Sequence, residues 1–457
     1  MADRITVTTG GVAGSSASGG PRAARFIAAG QTQFGPTDAP RVVRNMRDYV
    51  NTFGARSGGA NLYDAAEVFF NAGGAEMVVQ RAFGPSAVNA AISLDTNKIV
   101  VTARAPGAYY NAWTVAYTSA SLSKTITIVK GARTVTYTGT DAASLQAAAS
   151  VDPDVTVTVS SLPASNVSAT ALASGADDFA NVVWATVLGR IGAAAGPGAV
   201  AVPGVNGAAS AVAAHAAAFR RFGLLTPVQT DSAATVISSQ GSITAANQQW
   251  ASYVLNWGTV PDGAGGLKVV DGCGYAAGVR AVVMRTYGVG ESPLRRAAHA
   301  LAAPAQFRPL VEVDDATHTS LLAAGVVTIR TLPTGVGPDV WAVAAGVGGN
   351  AKLQEGVFRD LVNAVTDEAA RALDQFVGRP ATGSVLTEAE SVLKGICERY
   401  RPWLTDRGNA DPGYRVAVSA GTDVADNRIT AVISLRFSEQ IGFVDFTVNA
   451  ASADQTI

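Results

Sequence analysis

Residues 429–437, Ile429-Thr430-Ala431-Val432-Ile433-Ser434-Leu435-Arg436-Phe437, and residues 4–9, Arg4-Ile5-Thr6-Val7-Thr8-Thr9, decide how this chain is read. In the first stretch Ile429, Ala431, Ile433, Leu435 and Phe437 fall on one face of an extended segment, because successive side chains of a strand point to opposite sides. In the second, Ile5, Val7 and Thr9 alternate with Thr6 and Thr8 and lead into 10–20, a run of Gly, Ser, Ala and Val that reads as a linker. Beyond Gly442 a further strand sets Val444, Phe446 and Val448 together. Each end therefore reads as a strand set apart from a body. An unpaired strand leaves backbone donors, acceptors and an apolar face uncovered, so such an arm folds back on its own sheet or adds to the sheet of another copy. The Gly/Ser linker at the front favours exchange between copies, and exchange builds polymers.

The body is large and nearly neutral. At 457 residues it holds roughly two to four domains. Hydrophobic residues make up 48%, mostly Ala and Val, and 34 basic against 35 acidic residues leave a net charge of -1. Nothing in that balance draws nucleic acid or an anionic membrane from a distance. Cys273 and Cys397 have no metal-type spacing and cannot make a disulfide framework, which points to synthesis in a reducing cytoplasm. No charged segment followed by a continuous apolar run opens the sequence. The Ala-rich run over 199–219 is broken by Pro203, Gly204, Asn206 and His215, so neither a signal peptide nor membrane insertion is expected.

The pattern along the chain gives the expected fold class: α/β and α+β multidomain, with an α/β core, an inserted all-β domain, a C-terminal α+β assembly domain and extended terminal β arms. Residues 1–20 are the N-terminal arm and linker, and 21–90 the first part of the core. In this part Leu62, Ala65, Ala66, Phe69 and Phe70 recur at helical spacing, and Asn71, Gly73 and Gly74 end that helix. Period-two Thr/Val patterning marks 91–175 as the inserted β domain. Residues 176–345 are the second part of the core, with helices expected at 212–222 and 242–253. In the assembly domain, 346–440, Phe358, Leu361, Val362, Val365, Ala369, Ala372, Leu373, Phe376 and Val377 line one face of a long helix. A second helix is expected to start at Thr387 with Glu390 closing a capping box. The C-terminal arm is 441–457.

The order of these features resembles the contractile phage tail sheath proteins. Phe26-Ile27-Ala28-Ala29-Gly30, Gly35-Pro36, Pro40, Asp48-Tyr49, Phe53-Gly54, Phe69-Phe70-Asn71-Ala72-Gly73-Gly74 and Val78-Val79-Gln80-Arg81 look like that family's opening, where a helix, an Asn-Gly-Gly-like stop and a strand ending in Arg follow one another. Ala72 between the Asn and the glycines is a departure. Ala105-Pro106-Gly107 with Asn111-Ala112-Trp113 is similar to the entry into the family's protruding β domain, and Leu172 with Gly175-Ala176-Asp177 to its exit. Asn71, Gly73, Gly74, Arg81, Gly107 and Asn111 are the structural positions of these motifs.

The resemblance implies a sleeve of stacked rings of identical copies around a tail tube, with arms crossing to neighbours and rigid bodies shifting on contraction. Its implied partners are other copies of itself, the tube protein, and baseplate and tail terminator proteins, with no nucleic acid and no cofactor. Its implied place is the virion tail, after assembly in the host cytoplasm. A tail-like bacteriocin or contractile injection system would share every one of these features.

No catalytic or metal-binding constellation stands out. Gly288 with Gly290 and Gly335 with Gly337 lack the third glycine of a phosphate loop and read as ordinary loops. His215, His299 and His318 are the candidates for a subtilisin-like α/β hydrolase triad, the alternative of another class. Asp314 with Asp315 and Glu388 with Glu390 read as caps or solvent-facing pairs. Trp341 and Trp403 read as core.

Overall fold

The computed structural model describes residues 3–7, 22–57, 61–332, 335–343, 355–407, 410–420 and 429–438. The chain divides into two compact units, one of 12–367 and one of 1–11 with 368–457. Its class is mixed α/β with several sheets.

The larger unit is organised on a six-stranded sheet in the order Ala251–Tyr253, Phe222–Leu225, Ala199–Ala201, Phe26–Gly30, Met77–Arg81, Arg41–Val43. The first five run parallel and only the Arg41–Val43 edge is antiparallel. Every residue of the Phe26–Gly30 and Met77–Arg81 strands is buried, as expected of parallel strands covered on both faces. Alternation then sorts the side chains. Ile27 and Ala29 join Val200, Val212, Ala216 and Leu225 in one core, while Phe26 turns to the other face and meets Phe69 with ring centres 5.2 Å apart.

On that second face the helices Leu62–Asn71 and Gly272–Thr286 pack closely because small residues meet backbone. A Cβ on Gly274 would lie 2.6 Å from the Ala65 carbonyl oxygen, and one on Gly278 would lie 2.9 Å from that of Phe69. The expected helix over 242–253 is not formed. A helix at Ala233–Ser242 ends there, a single turn follows at Ala245–Gln248, and Ala251–Tyr253 is a buried strand. Three strand residues are too few to show a period, so the neighbouring helical spacing masked them.

Between Met77–Arg81 and the helix Trp184–Gly189 the chain leaves the sheet and builds a separate core. One sheet has the order Val155–Val159, Ile99–Pro106, Asn89–Leu94, the other Val167–Ala171, Thr114–Ser119, Lys124–Lys130, Arg133–Gly139. Val101, Val115, Tyr117, Ile126, Ile128 and Val157 fill the space around them. This insert is not all-β. Ala142–Ser150 is a helix, capped reciprocally by Asp141 and Ser144, whose Leu145 and Ala149 enter the same core. Inside it Lys130 Nζ sits 2.5 Å from Asp152 Oδ1 and 2.8 Å from Asp154 Oδ2, over the Trp113 ring.

In the smaller unit an antiparallel sheet has the order Asp3–Val7, Ile429–Leu435, Tyr414–Ala420. The helix Gly383–Tyr400 covers it, burying Leu393, Ile396, Cys397 and Tyr400 with Ala431, Ile433 and Leu435. This helix starts four residues before Thr387, after Thr382 at its N-cap. Thr387 is interior and donates its hydroxyl to the Gly383 carbonyl, while Glu390 pairs with Lys394 one turn on. Thr387 and Glu390 therefore each make their own i,i+4 interaction inside the helix and do not form a cap. No helix among the described residues is long and apolar enough to cross a membrane.

Candidate functional site

Two constructions carry the predicted residues. The first is the small sheet. Ile5 lies opposite Ile433 and Val7 opposite Ala431, and on the other side Val416 and Val418 lie opposite the same two residues. Ile429–Leu435 is thus the central strand, and the Asp3–Val7 strand occupies what would otherwise be its open edge. In the single chain the arm is laid on its own sheet. The register leaves the owner of the arm open, because the same ladder forms with an arm arriving from another copy. Among the described residues no strand pairs with the outer side of Tyr414–Ala420. Thr9, Val444, Phe446 and Val448 lie outside the described residues.

The second construction is the neck of the insert, where Arg81, Gly107 and Asn111 come together. Arg81, the last residue of its strand, is fully buried. Its guanidinium donates to the Gly35 carbonyl at 3.0 Å, the Pro106 carbonyl at 2.8 Å and Asp177 Oδ1 at 2.8 Å. Asp177 Oδ2 accepts from the Ala108 N–H. Asn111 exchanges two hydrogen bonds with the Gly175 backbone, donating at 3.0 Å and accepting at 2.8 Å. Asn71, Gly73 and Gly74 stand apart from this group at the end of Leu62–Asn71. Asn71 is exposed and Gly73 takes φ +93. A Cβ on Gly74 would lie 2.3 Å from the Phe69 ring, so close approach rather than backbone freedom selects glycine there. Sequence motifs marked Arg81 and Asp177 separately. Their pairing across 96 residues left no local signal.

No protein-family model and no curated protein matches the chain. Solved structures do. A sheath tail protein from Listeria innocua is 12% identical with a TM-score of 0.60, covering 92% of this chain and 95% of its own. A sheath tail protein from Desulfitobacterium hafniense is 13% identical with a TM-score of 0.56, the coverage being 90% and 93%. The contracted sheath complex of an extracellular contractile injection system is also 13% identical at TM-score 0.56, with 98% and 95% covered. The chain has the contractile tail sheath fold.

Within the sheath fold, one side chain bridges the crevice that usually receives ligands. In a doubly wound sheet that crevice opens beyond the carboxyl ends of the strands where their order reverses, here between Phe26–Gly30 and Ala199–Ala201. The Asn61 amide spans it, accepting from the Gln31 N–H and donating to the Pro203 carbonyl at 2.6 Å. The other candidates for chemistry are engaged in local contacts. Asp314 caps the helix Asp315–Ala324, Asp315 pairs with Arg330, and Glu388 pairs with Arg379. Gly337 lies within the Gly335–Val340 strand against the His299 ring, not in a loop. Trp341 is buried and stacks on Phe222, and Trp403 is half-buried beside Tyr400. Both cysteines are buried, and burial pushes their thiols up, Cys397 to about 12, so neither is a ready nucleophile. Among the described residues no group of three or more His, Cys, Asp or Glu is placed to hold a metal ion.

His318 Nε2 lies 3.2 Å from Asp339 Oδ2, and the hydrolase alternative finds no support among the sheath neighbours. His215 is buried on the helix Ala209–Phe219. Its Nε2 lies 2.5 Å from Arg221 Nη1, and Arg221 itself is held by the Gly196, Ile191 and Gly192 carbonyls. Burial, and then the Arg221 charge, lower the His215 pKa to about 3, so the ring stays neutral and accepts from the guanidinium. The unfolded chain binds the extra proton below an ordinary pKa of about 6.5, so stability falls as pH drops through that value toward 3. Between pH 7.5 and pH 5 this group alone is expected to remove about 2 kcal/mol. Urea denaturation of His215→Gln should show a loss smaller by that amount. An equal loss in both proteins would remove His215 from the acid response.

Proposed function

We propose that this chain is the sheath subunit of a contractile tail, polymerising through strand exchange and carrying no catalytic residues of its own. The observation that carries the reading is the sheath fold matched over nearly the whole length, up to 98% of the chain, joined to a central strand whose edge accepts a terminal arm. Each copy gives its 1–20 arm to a neighbour's Ile429–Leu435 edge. The Val444, Phe446 and Val448 segment supplies the opposite arm, for which the outer side of Tyr414–Ala420 is available. Stacked rings of copies then enclose a tube protein, bounded by baseplate and terminator proteins. Contraction shifts the bodies while the strand pairing is kept, and a modest gain per contact sums over the sleeve. The tail belongs to a phage or to an injection particle of the kind represented among the neighbours. Gene neighbourhood with capsid and terminase genes separates the two.

The register supplies the test. Thr6 lies opposite Val432, and facing residues of an antiparallel pair have Cα separations of about 4.5–5.5 Å, within the range a disulfide spans. Thr6→Cys with Val432→Cys, oxidised after assembly with the tube, is expected to give a covalent ladder of multimers on a non-reducing gel. A product that runs only as a monomer would mean that each arm stays on its own sheet, and the exchange reading would fall.

A further inference from the structure

The two chain crossings between the parallel sheet and the insert look like hinges in sequence, Gly84-Pro85 on the way out and Gly175 on the way back. Their surroundings give these glycines another purpose. A Cβ on Gly84 would lie 2.1 Å from the Asp178 carbonyl oxygen, and one on Gly175 would lie 2.4 Å from that of Gly107. Gly107, at φ +141, would place a Cβ 2.7 Å from both Arg81 Nη2 and Asp177 Oδ1. At each position another part of the neck passes too close for a side chain, which is a packing requirement and not a source of freedom. The crossings are also tied to each other. Gly84 N–H donates to the Asp177 carbonyl, Ser86 N–H donates to Asp178 Oδ2, and Val88 bridges Ala176.

We propose that Arg81 and Asp177 form a buried clamp that locks the insert to the parallel sheet as one rigid body, with Arg81 as the positioning residue that sets the insert's angle. The guanidinium is planar and its donors are fixed in one fork. Its three acceptors belong to different parts: Gly35 to the loop after the Phe26–Gly30 strand, Pro106 to the end of an insert strand, Asp177 to the returning crossing. Turning the insert about the neck breaks the bonds to Pro106 and Asp177 together and leaves a fully buried charge with the Gly35 carbonyl alone, whereas a swivelling joint would tolerate rotation at little cost. The inference concerns a single copy and stands or falls independently of assembly.

Distance measurement on the full chain tests it. Thr136→Cys on the insert and Ser238→Cys on the helix Ala233–Ser242 are both exposed positions, and the buried Cys273 and Cys397 remain unlabelled under native conditions. With nitroxides at both sites, pulsed electron spin resonance is expected to give one narrow distance distribution. Arg81→Met keeps the length but not the donors. It should broaden that distribution at least twofold and speed proteolysis within 82–88 and 172–178 at least tenfold, with Arg81→Lys recovering part of both effects. A distribution as narrow as the parent's in folded Arg81→Met overturns the clamp. Should Arg81→Met fail to fold, Asp177→Asn takes its place, since it removes the ion pair but keeps an acceptor for the Ala108 N–H. Broadening then supports the clamp and an unchanged width overturns it.

Discussion

A chain lacking residues 1–11 is expected to remain folded and to form no sleeve. The Asp3–Val7 strand contributes five facing pairs to the Ile429–Leu435 strand. At roughly 0.2–1 kcal/mol per pair, the arm is worth about 1–5 kcal/mol. What remains in the smaller unit still has two paired strands and the helix Gly383–Tyr400, with Ala431, Ile433 and Leu435 buried, and the larger unit holds its own core. The melting transition of the larger unit should therefore hold, and that of the smaller unit should fall by about 4–8 °C for each kcal/mol lost. Assembly responds differently, because the same loss recurs at every contact and each 1.4 kcal/mol weakens a contact tenfold. Electron microscopy after mixing with the tube should show bare tubes, and sedimentation should show monomer. Removal of 442–457, or Phe446→Asp, is expected to act in the same sense at the other end. Long sleeves from the truncated chain would take the arm out of the assembly account.

Much of this architecture was legible in the sequence because burial imposes a period. Phe26–Gly30 and Met77–Val79 are continuous apolar runs because both faces of their strands are covered, and Ala431, Ile433 and Leu435 alternate because only one face is. Short elements escaped the reading. Ala142–Ser150 is a helix of Ala, Ser, Leu and Gln inside Thr/Val-rich strands, and its signal is the cap at Asp141 rather than any apolar stripe. Ala251–Tyr253 is three residues long. The Thr387 and Glu390 pair imitated a cap from within a helix. The polar interior was not legible at all. Arg81 with Asp177, Arg221 with His215 and Arg280 with Asp360 are each made by the fold, and composition gives no hint of which charged residues are withdrawn from water.

Of these, Arg280 and Asp360 give the largest expected effect on stability. Both are 1% exposed. Arg280 Nε donates to Asp360 Oδ2 at 2.8 Å and Nη2 to Oδ1 at 2.5 Å, while Nη1 reaches the Ala23 carbonyl at 2.6 Å. One guanidinium thus joins the helices Gly272–Thr286 and Gly356–Leu373 to the turn that precedes the first strand of the parallel sheet. Arg280→Met leaves a carboxylate buried without its partner and should cost about 3–5 kcal/mol, because the desolvation penalty of Asp360 is no longer offset. Arg280→Met with Asp360→Leu removes both charges and should recover all but about 1–2 kcal/mol, the remainder being the unpaired Ala23 carbonyl. The deficit of the single variant has a pH signature. A lone buried carboxyl keeps its proton to higher pH in the folded state than in the unfolded chain, so the folded form gains on acidification. Relative to the double variant, Arg280→Met should become less unstable as pH falls from 7 to 5. Urea denaturation of the parent, both single variants and the double variant gives the coupling energy directly. A double variant no more stable than Arg280→Met, at either pH, would mean that the pair acts through packing and not through charge.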